Sequence, residues 1–467
     1  MIKQTQTLFS SYLFGIKDSD NGNSYSTILA LFFPELITAF VLMINILDAK
    51  FIAQLNSTSL YTALGVTYTL LHTVTKIAEG LSVGAVIMCG HYNGADDKKN
   101  VGNSLSAALW VSMMVGGLIA LGLFFGAHAI FRWYQVPDRL VLIGTSYLKV
   151  RCLSIFCMFI SYGIVGFLRG VKNTRVPMNL FLGGAALFVI LDYLLIFGKC
   201  GFPPLGIMGS AWAAVIQYGV ICISGLIYLF ISRYHTLYEV PFLNRHVITL
   251  MGKIFVVSVP VMIDKATLAI AKMWLCSLIN PLGKVAMGTF HVIKDMEQFA
   301  FAPAVAFAQV VTLLVSNDYG SKNWLGIKST IKKVLFLSSV MVLTILCLFS
   351  LMPQVVIGLF DSKQVFTDFA ATAFPIISVL VFFDILQLIL AAALRGASNV
   401  RVVMWVRLIS LLAFFMPVSY LLSMLPLENT LIKFILVYSS FYIGNGLMGI
   451  IYLMRFRSED WKKLSWR

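Results

Sequence analysis

Apolar stretches long enough to cross a bilayer recur along the whole chain, each interrupted by Gly, Pro, Asn or charge. They predict twelve spanning helices, at roughly 26–54, 62–90, 103–129, 143–168, 178–198, 206–232, 249–279, 285–316, 330–359, 368–394, 402–424 and 429–454. A crossing takes about 20 residues, and all twelve runs have that length. The fold class this predicts is an all-α integral membrane protein.

The runs are not independent of one another. Residues 168 to 178 read Leu-Arg-Gly-Val-Lys-Asn-Thr-Arg-Val-Pro-Met and residues 394 to 404 read Leu-Arg-Gly-Ala-Ser-Asn-Val-Arg-Val-Val-Met, identical at seven of eleven positions with an offset of 226. The same offset pairs Pro34 with Pro260 and Gly94 with Gly320. Three markers displaced by one constant shift point to a tandem duplication. The predicted organisation is a segment 1–25, a six-helix bundle 26–232, a linker 233–248, a second six-helix bundle 249–454 and a basic tail 455–467. Six helices per copy is an even number, so both copies insert with the same orientation and are related by an axis along the membrane normal. Two such bundles rocking around a central cavity are a transporter architecture.

Composition agrees with the runs. Of 467 residues 59% are hydrophobic and 12% charged, with a mean hydropathy of +0.88, whereas a soluble domain carries about 25% charged residues. The net charge of +15 does not indicate a nucleic-acid partner, because Lys and Arg gather on one side of the predicted membrane, 21 against 5. That asymmetry puts both termini in the cytoplasm. Seven cysteines, nearly all in apolar stretches, form neither a disulfide framework nor a metal site. Residues 1 to 25 are polar and lack the apolar core of a cleavable signal peptide. No Gly-rich nucleotide loop, Gly-x-Ser-x-Gly or His-Glu-x-x-His is present, so no enzyme and no cofactor is expected. The histidines, His72 and His291 included, are scattered.

Charge inside a span costs a few kcal/mol, which makes each intramembrane acid a candidate for function. Asp48 lies about seven residues from the outer end of the first helix and Asp192 about six from that of the fifth, both ~10 Å below the outer surface. Two carboxylates at one depth can share a proton or a cation; the bland alternative is a pair of acids hydrogen-bonded for packing. In the second copy Asp384 stands ~16 Å above the cytoplasmic end of the tenth helix, and Asp264, next to Lys265, reaches similar depth in the seventh. The eighth helix carries His291, Lys294, Asp295, Glu297 and Gln298, in which Lys294 and Glu297 have the spacing of a helical ion pair. Glu79 follows Lys76 at the same spacing. Glu79, Glu297, Asp295, Gln387 and Phe290 are the candidates for a substrate cavity, with Phe124, Phe125, Phe301, Phe382 and Phe383 as possible apolar lining. Arg169 and Arg395 end the fourth and tenth helices, where Arg satisfies terminal carbonyls and contacts lipid phosphate.

At the paired Leu-Arg-Gly segments the chain resembles the multidrug and toxic compound extrusion (MATE) family of antiporters, and the likeness covers about residues 25 to 455. It includes Asp48 within Ile-Leu-Asp-Ala-Lys-Phe-Ile-Ala-Gln-Leu, Ala63-Leu64-Gly65, the run Ala78-Glu79-Gly80-Leu81-Ser82-Val83-Gly84-Ala85, Ile190 to Gly198 around Asp192, and Pro204-Leu205-Gly206-Ile207-Met208-Gly209-Ser210-Ala211. The resemblance implies substrate expulsion driven by inward sodium or proton flow with no ATP site, and it implies that Asp48 and Asp192 match acids used for cation coupling. Asp384 matches an acid of the sodium-coupled branch. This chain departs from the pattern at Phe188, where some members have Asn, and at Leu268, where a companion glutamate is expected; Asp264 lies one helical turn earlier.

Together these features predict a secondary antiporter that exports amphipathic, cationic drugs or metabolites across the cytoplasmic (inner) membrane, in exchange for protons or sodium, by alternating access. The coupling acids are expected to be Asp48, Asp192, Asp384 and Asp264, and the partners to be small molecules and membrane lipid, with the protein a monomer. A flippase for a lipid-linked oligosaccharide is the alternative and predicts a large basic cavity. A non-transporting scaffold would have no use for acids at matched depths.

Overall fold

The computed structural model of the protein describes residues 22–43, 48, 51–52, 58–134, 137–232, 234–354, 357 and 367–462. Among them are twelve helices long and apolar enough to cross a membrane. They are α1 (Tyr25–Leu42, with Asp48, Phe51 and Ile52 also helical), α2 (Thr58–Gly94), α3 (Lys98–Trp133), α4 (Asp138–Gly170), α5 (Arg175–Phe197) and α6 (Ile207–Ile231). The second set is α7 (Arg245–Ile279), α8 (Lys284–Gly320), α9 (Trp324–Leu351), α10 (Thr367–Gly396), α11 (Val400–Met424) and α12 (Thr430–Arg457). The twelve-helix, all-α membrane fold read from the apolar runs is therefore the fold observed. Several helices run past their apolar windows because the residues that stop them lie farther out.

Those stops are duplicated. After α2 the chain turns through Asp96 (φ 54°) and after α8 through Lys322 (φ 57°); after α4 it turns through Lys172 (φ 61°) and after α10 through Ser398 (φ 60°). Each pair differs by the repeat offset. The hydrogen bonds match as well: Asn173 N–H donates to Leu168 O and Asn399 N–H to Leu394 O, both at 2.8 Å. This is the Schellman closure of a helix, with a left-handed residue that frees the chain to reverse. The next helices start alike, since Asp97 caps the Asn100 N–H and Asn323 caps the Gly326 N–H.

The repeated glycine is explained by the same geometry. A Cβ on Gly170 would stand 2.6 Å from Cys89 Cβ of α2, and one on Gly396 would stand 2.8 Å from Thr312 O and 2.9 Å from Val315 Cβ of α8. Only hydrogen at these positions lets α4 lie against α2 and α10 against α8 at that distance.

Packing divides the chain into two compact units, one holding the described residues up to Leu36 together with Ile263 onward, the other Ile37–Met262. The division passes through α1 just after Pro34 and through α7 just after Pro260, rather than through the linker between the sequence repeats. In the first unit the start of α1 is fastened to α8 and α9. Asn23 Nδ2 donates to Asp318 Oδ2 (2.9 Å) and Thr330 Oγ1 (3.0 Å), and the fully buried Lys333 donates to Asn23 O (2.8 Å) with its ammonium over the Tyr25 ring. In the second unit the segment before α7 docks on α3: Ser106 Oγ donates to Pro241 O, Trp110 Nε1 to Phe242 O (2.8 Å) and Asn244 Nδ2 to Asn103 Oδ1 (3.3 Å). Helices α3 and α9 are repeat equivalents, so each copy receives the leading segment of the other.

The tail closes on the first unit. Trp461 is fully buried with its ring 5.6 Å from that of Trp324. Its carbonyl accepts from Asn399 Nδ2 (2.9 Å), and the Lys462 carbonyl accepts from Tyr319 OH (2.8 Å). Beside it the exposed Glu459 meets Lys328 and Lys462, and these two ammonium groups pull its carboxyl down to about 2.

Candidate functional site

The second unit gathers Asp48 of α1 and Asp192 of α5 into one buried pocket with residues of α2, α4 and α6. Helix α5 ends at Gly198, whose φ of 65° makes a left-handed cap. Gly209 then lets α6 start close against α5, since a Cβ there would lie 2.6 Å from the Leu195 carbonyl carbon. Ser210 is thereby placed to donate from Oγ to Asp48 Oδ1 (2.8 Å), while Tyr68 OH donates to Asp48 Oδ2 (2.7 Å). Asp48 is thus satisfied as a carboxylate.

Asp192 is not. It is 0% exposed and, among the described residues, neither of its oxygens accepts a hydrogen bond, although the Ser210 hydroxyl that serves Asp48 also faces it. Phe188, one turn before it, is buried and offers no donor. Among the described residues, the charged groups that face Asp192 are Asp48 and Arg151. Arg151 of α4 lies over the ring of Tyr147, 5.8 Å from its centroid, with Nε unpartnered. Tyr218 of α6 faces both Arg151 and Glu79, and Glu79 itself is bonded to Lys76 at 2.8 Å, the helical pair expected from the sequence.

The first unit holds a different arrangement. Asp264 of α7 is paired with both Arg395 of α10 and Arg407 of α11, and all three are buried. Arg407 is followed by a π-helical turn over Ser410–Phe415, a distortion that often accompanies functional residues. Asp384 of α10 accepts from Asn445 Nδ2 of α12 (3.0 Å). With the Gln387 amide turned as its neighbours require, its nitrogen donates to Asp384 (3.3 Å) and its oxygen accepts from Arg407 (2.6 Å). Glu297 of α8 accepts from Tyr438 OH of α12 at 2.7 Å. Lys272 of α7 faces both Glu297 and Asp384. Three acids, Asp264, Glu297 and Asp384, are thus met by three bases, Lys272, Arg395 and Arg407.

The structure brings Asp48 together with Asp192 and links Asp264 to Asp384 through Arg407 and Gln387. Phe290 is buried with its ring edge-on to Tyr438, in the Glu297 cluster. Asp295 stands apart, half exposed and 3.9 Å from Lys294. Two expectations are corrected. Lys294 does not pair with Glu297, because Tyr438 of α12 reaches Glu297 first. Arg395 does not extend to lipid phosphate; it is buried on Asp264, whose charge compensates it. The sequence does not single out Tyr68, Tyr147, Arg151, Lys272, Arg407, Tyr438 and Asn445, and Ser210 enters there only within the segment Pro204–Ala211. Arg151, Lys272 and Arg407 carried a usable signal, since each is a charge inside an apolar run and the insertion cost that singled out the acids applies equally to bases.

The chain is similar to several known proteins. The family model MatE matches residues 36–194 and 260–421. A probable multidrug resistance protein NorM of Rhizobium meliloti is 26% identical over 385 residues, 79% of this chain and 80% of that protein. A probable multidrug resistance protein YoeA of Bacillus subtilis is 23% identical over 353 residues, covering 74% and 75%. Among solved structures, an outward-facing multidrug resistance MATE family transporter superposes with a TM-score of 0.83 at 19% identity, covering 92% of this chain and 95% of that one. A transporter from Pyrococcus furiosus, described as having a binding pocket of reversed polarity, gives 0.82 at 20% identity, covering 94% and 96%.

Proposed function

The chain belongs to the MATE family of multidrug transporters, and from that premise we propose that it is a proton-coupled antiporter that expels amphipathic, cationic compounds. The observation that carries the reading is the Asp48/Asp192 pocket. Asp48 has the donors that a carboxylate needs, whereas the Ser210 hydroxyl that faces the buried Asp192 is given to Asp48, an arrangement that is costly unless the second acid is neutralised. A proton on Asp192 does that. A hard monovalent cation such as sodium would need several oxygen ligands, yet two of the four carboxylate oxygens are engaged and Arg151 occupies the same pocket. In the first unit Asp264 is a structural anion held by two arginines, and Asp384 and Glu297 face Lys272, so these acids are assigned to architecture and substrate contact rather than to ion exchange.

Protonation and deprotonation of Asp192 then bias the transporter between states open to opposite sides of the membrane. The protein sits in the cytoplasmic membrane with both termini inside, as the distribution of Lys and Arg indicates. A lipid-linked oligosaccharide flippase is not favoured, because the matching family and relatives are multidrug transporters.

The test is accumulation of a cationic dye in cells expressing the protein. Expression lowers accumulation, dissipating the proton gradient restores it, and replacing external sodium with choline at fixed pH changes nothing. Asp192→Asn abolishes export. Undiminished export by Asp192→Asn, or loss of export in choline, refutes proton coupling at this pocket.

A further inference from the structure

We infer that Gln387 is a positioning residue: held by Arg407, it fixes Asp384 so that one carboxylate oxygen is presented to the N–H group of a cationic substrate. The inference rests on the substrate contact proposed above for Asp384 and names the cation favoured there, an ammonium with N–H over a quaternary one. The arrangement starts from close helix approach. A Cβ on Gly446 would stand 3.0 Å from Phe383 Cδ1, and one on Gly449 3.2 Å from Leu386 Cδ2. These two glycines let α12 lie close against α10, and Asn445, beside Gly446, thereby reaches Asp384 and donates to its Oδ1 (3.0 Å). Gln387 stands three residues after Asp384, on the same face of α10. With its amide turned as described above, its nitrogen donates to the same Oδ1 (3.3 Å).

What orients that amide is a buried cation. Arg407 Nη2 donates to the Gln387 oxygen (2.6 Å), and Arg407 Nε is itself bonded to Asp264. Asp264, Arg407 and Gln387 are all buried, so none of them has bulk water as an alternative partner. The chain Asp264–Arg407–Gln387 therefore keeps the amide from turning over and holds its N–H on Asp384. Two donors converge on Oδ1, whereas Oδ2 takes no hydrogen bond among the described residues. Nor is Oδ2 enclosed: Asp384 is part-exposed, and its Oδ2, unlike both oxygens of Asp192, is not a buried unpartnered atom. A carboxylate oxygen fixed in direction and left open is a directed acceptor. It gives an ammonium N–H a charge-assisted hydrogen bond, which a quaternary ammonium, with the same charge and no N–H, does not make.

The test is competition in proteoliposomes. Export of a cationic dye is inhibited with 2-phenylethylammonium and with its N,N,N-trimethyl analogue, which carries the same charge and no N–H. In wild type the N–H cation inhibits at the lower concentration. Gln387→Met lowers this preference by roughly three- to tenfold, the worth of one directed hydrogen bond, and leaves the maximal rate at saturating dye in place. Such a split between affinity and turnover does not follow from a merely structural loss. In an Asp384→Asn background Gln387→Met changes the preference no further, because it acts through Asp384. Asn445→Ala, which leaves Arg407 and Gln387 paired, lowers the preference in the same direction and serves where Gln387→Met does not fold. Equal inhibition by the two cations in wild type, or an unchanged preference in both variants, overturns the inference. The preference is read at one fixed ion gradient, so a failure of proton coupling leaves it standing. If Asp384→Asn keeps the wild-type preference, the substrate contact at Asp384 is itself wrong.

Discussion

Replacing Asp264 by Asn separates an architectural acid from a coupling acid. Asn keeps the shape of the side chain and removes its charge. Asp264 is 1% exposed, and the arginines it serves, Arg395 and Arg407, are 9% and 5% exposed. Neither guanidinium has solvent to fall back on, and Arg395 Nε is already unpartnered. Breaking a buried pair by removing one partner costs about 3–5 kcal/mol, because a charge is left uncompensated. At about 1.4 kcal/mol per decade, that is two to nearly four powers of ten in the folding equilibrium. Arg407 also bonds Gln387, which bonds Asp384, so the loss spreads from α7 into α10 and α11.

The assay is unfolding of the purified protein as the denaturing detergent SDS is added to mild-detergent micelles, followed by the fluorescence of Trp274, which lies ten residues along α7 and bonds Ser419 of α11 at 3.0 Å. Asp264→Asn shifts the transition to markedly lower SDS. Adding Arg407→Gln restores part of the loss, because the two sites share one ion pair and are not additive. Whatever Asp264→Asn protein remains folded keeps its proton-gradient-driven export. A variant with the stability of wild type but no coupling would refute the structural assignment and return Asp264 to the ion-exchange machinery.

Further outcomes follow from particular contacts. Gly170→Ala and Gly396→Ala each cost about 1–3 kcal/mol by overpacking, whereas Gly183→Ala, which meets nothing within 4 Å, leaves the same unfolding transition in place. Trp461→Ala removes a fully buried indole at a cost of about 3–5 kcal/mol and frees the tail, detectable as faster proteolysis after residue 457. Docking of the tail also depends on pH through Glu459. Its carboxyl is lowered from 4.5 to about 2 in the folded protein, so its contribution is present above pH 4.5 and is lost as pH falls toward 2. The Glu459→Gln tail shows no such dependence, and salt blunts it in wild type because the group is exposed.

The spans and the repeat were legible because they depend on run length and on turn residues, which are local. Lys172 and Ser398 are unlike in chemistry, but the flanking Leu-Arg-Gly and Asn fix the same left-handed reversal. That Asp48 and Asp192 share a depth was legible from the rise per residue, which fixes height in the bilayer and leaves lateral neighbours open. Their partners were not. The spacing of Lys294 and Glu297 permits an ion pair, and a tyrosine on α12, 141 residues away in sequence, decides otherwise. The position of Arg395 at a helix end suggested lipid, and an acid on α7 claimed it instead. In each case the deciding neighbour comes from a helix whose facing side one chain's periodicity does not reveal.

The two copies of the duplication differ at their buried acids. What the two copies share is architecture: the prolines of α1 and α7, the capped turns and the glycines under α4 and α10. Apart from the paired Arg169 and Arg395, what they do not share is buried charge. Shifted by the repeat offset, Asp48 falls on Trp274, Arg151 on Ile377, Asp264 on Thr38, Asp384 on Met158 and Glu297 on Leu71. A scaffold that needed intramembrane charge merely to stand would have kept it in both halves, since both solve the same packing problem. Instead the second copy ties Asp264, Glu297 and Asp384 to Lys272, Arg395 and Arg407, and the first keeps Asp48 and Asp192 beside Arg151. Closing the balance there by a second base, as in Tyr147→Lys, therefore stops ion exchange while leaving the first unit's network and the twelve helices in place. Persistent coupling in that variant would mean that the exchanged charge resides elsewhere.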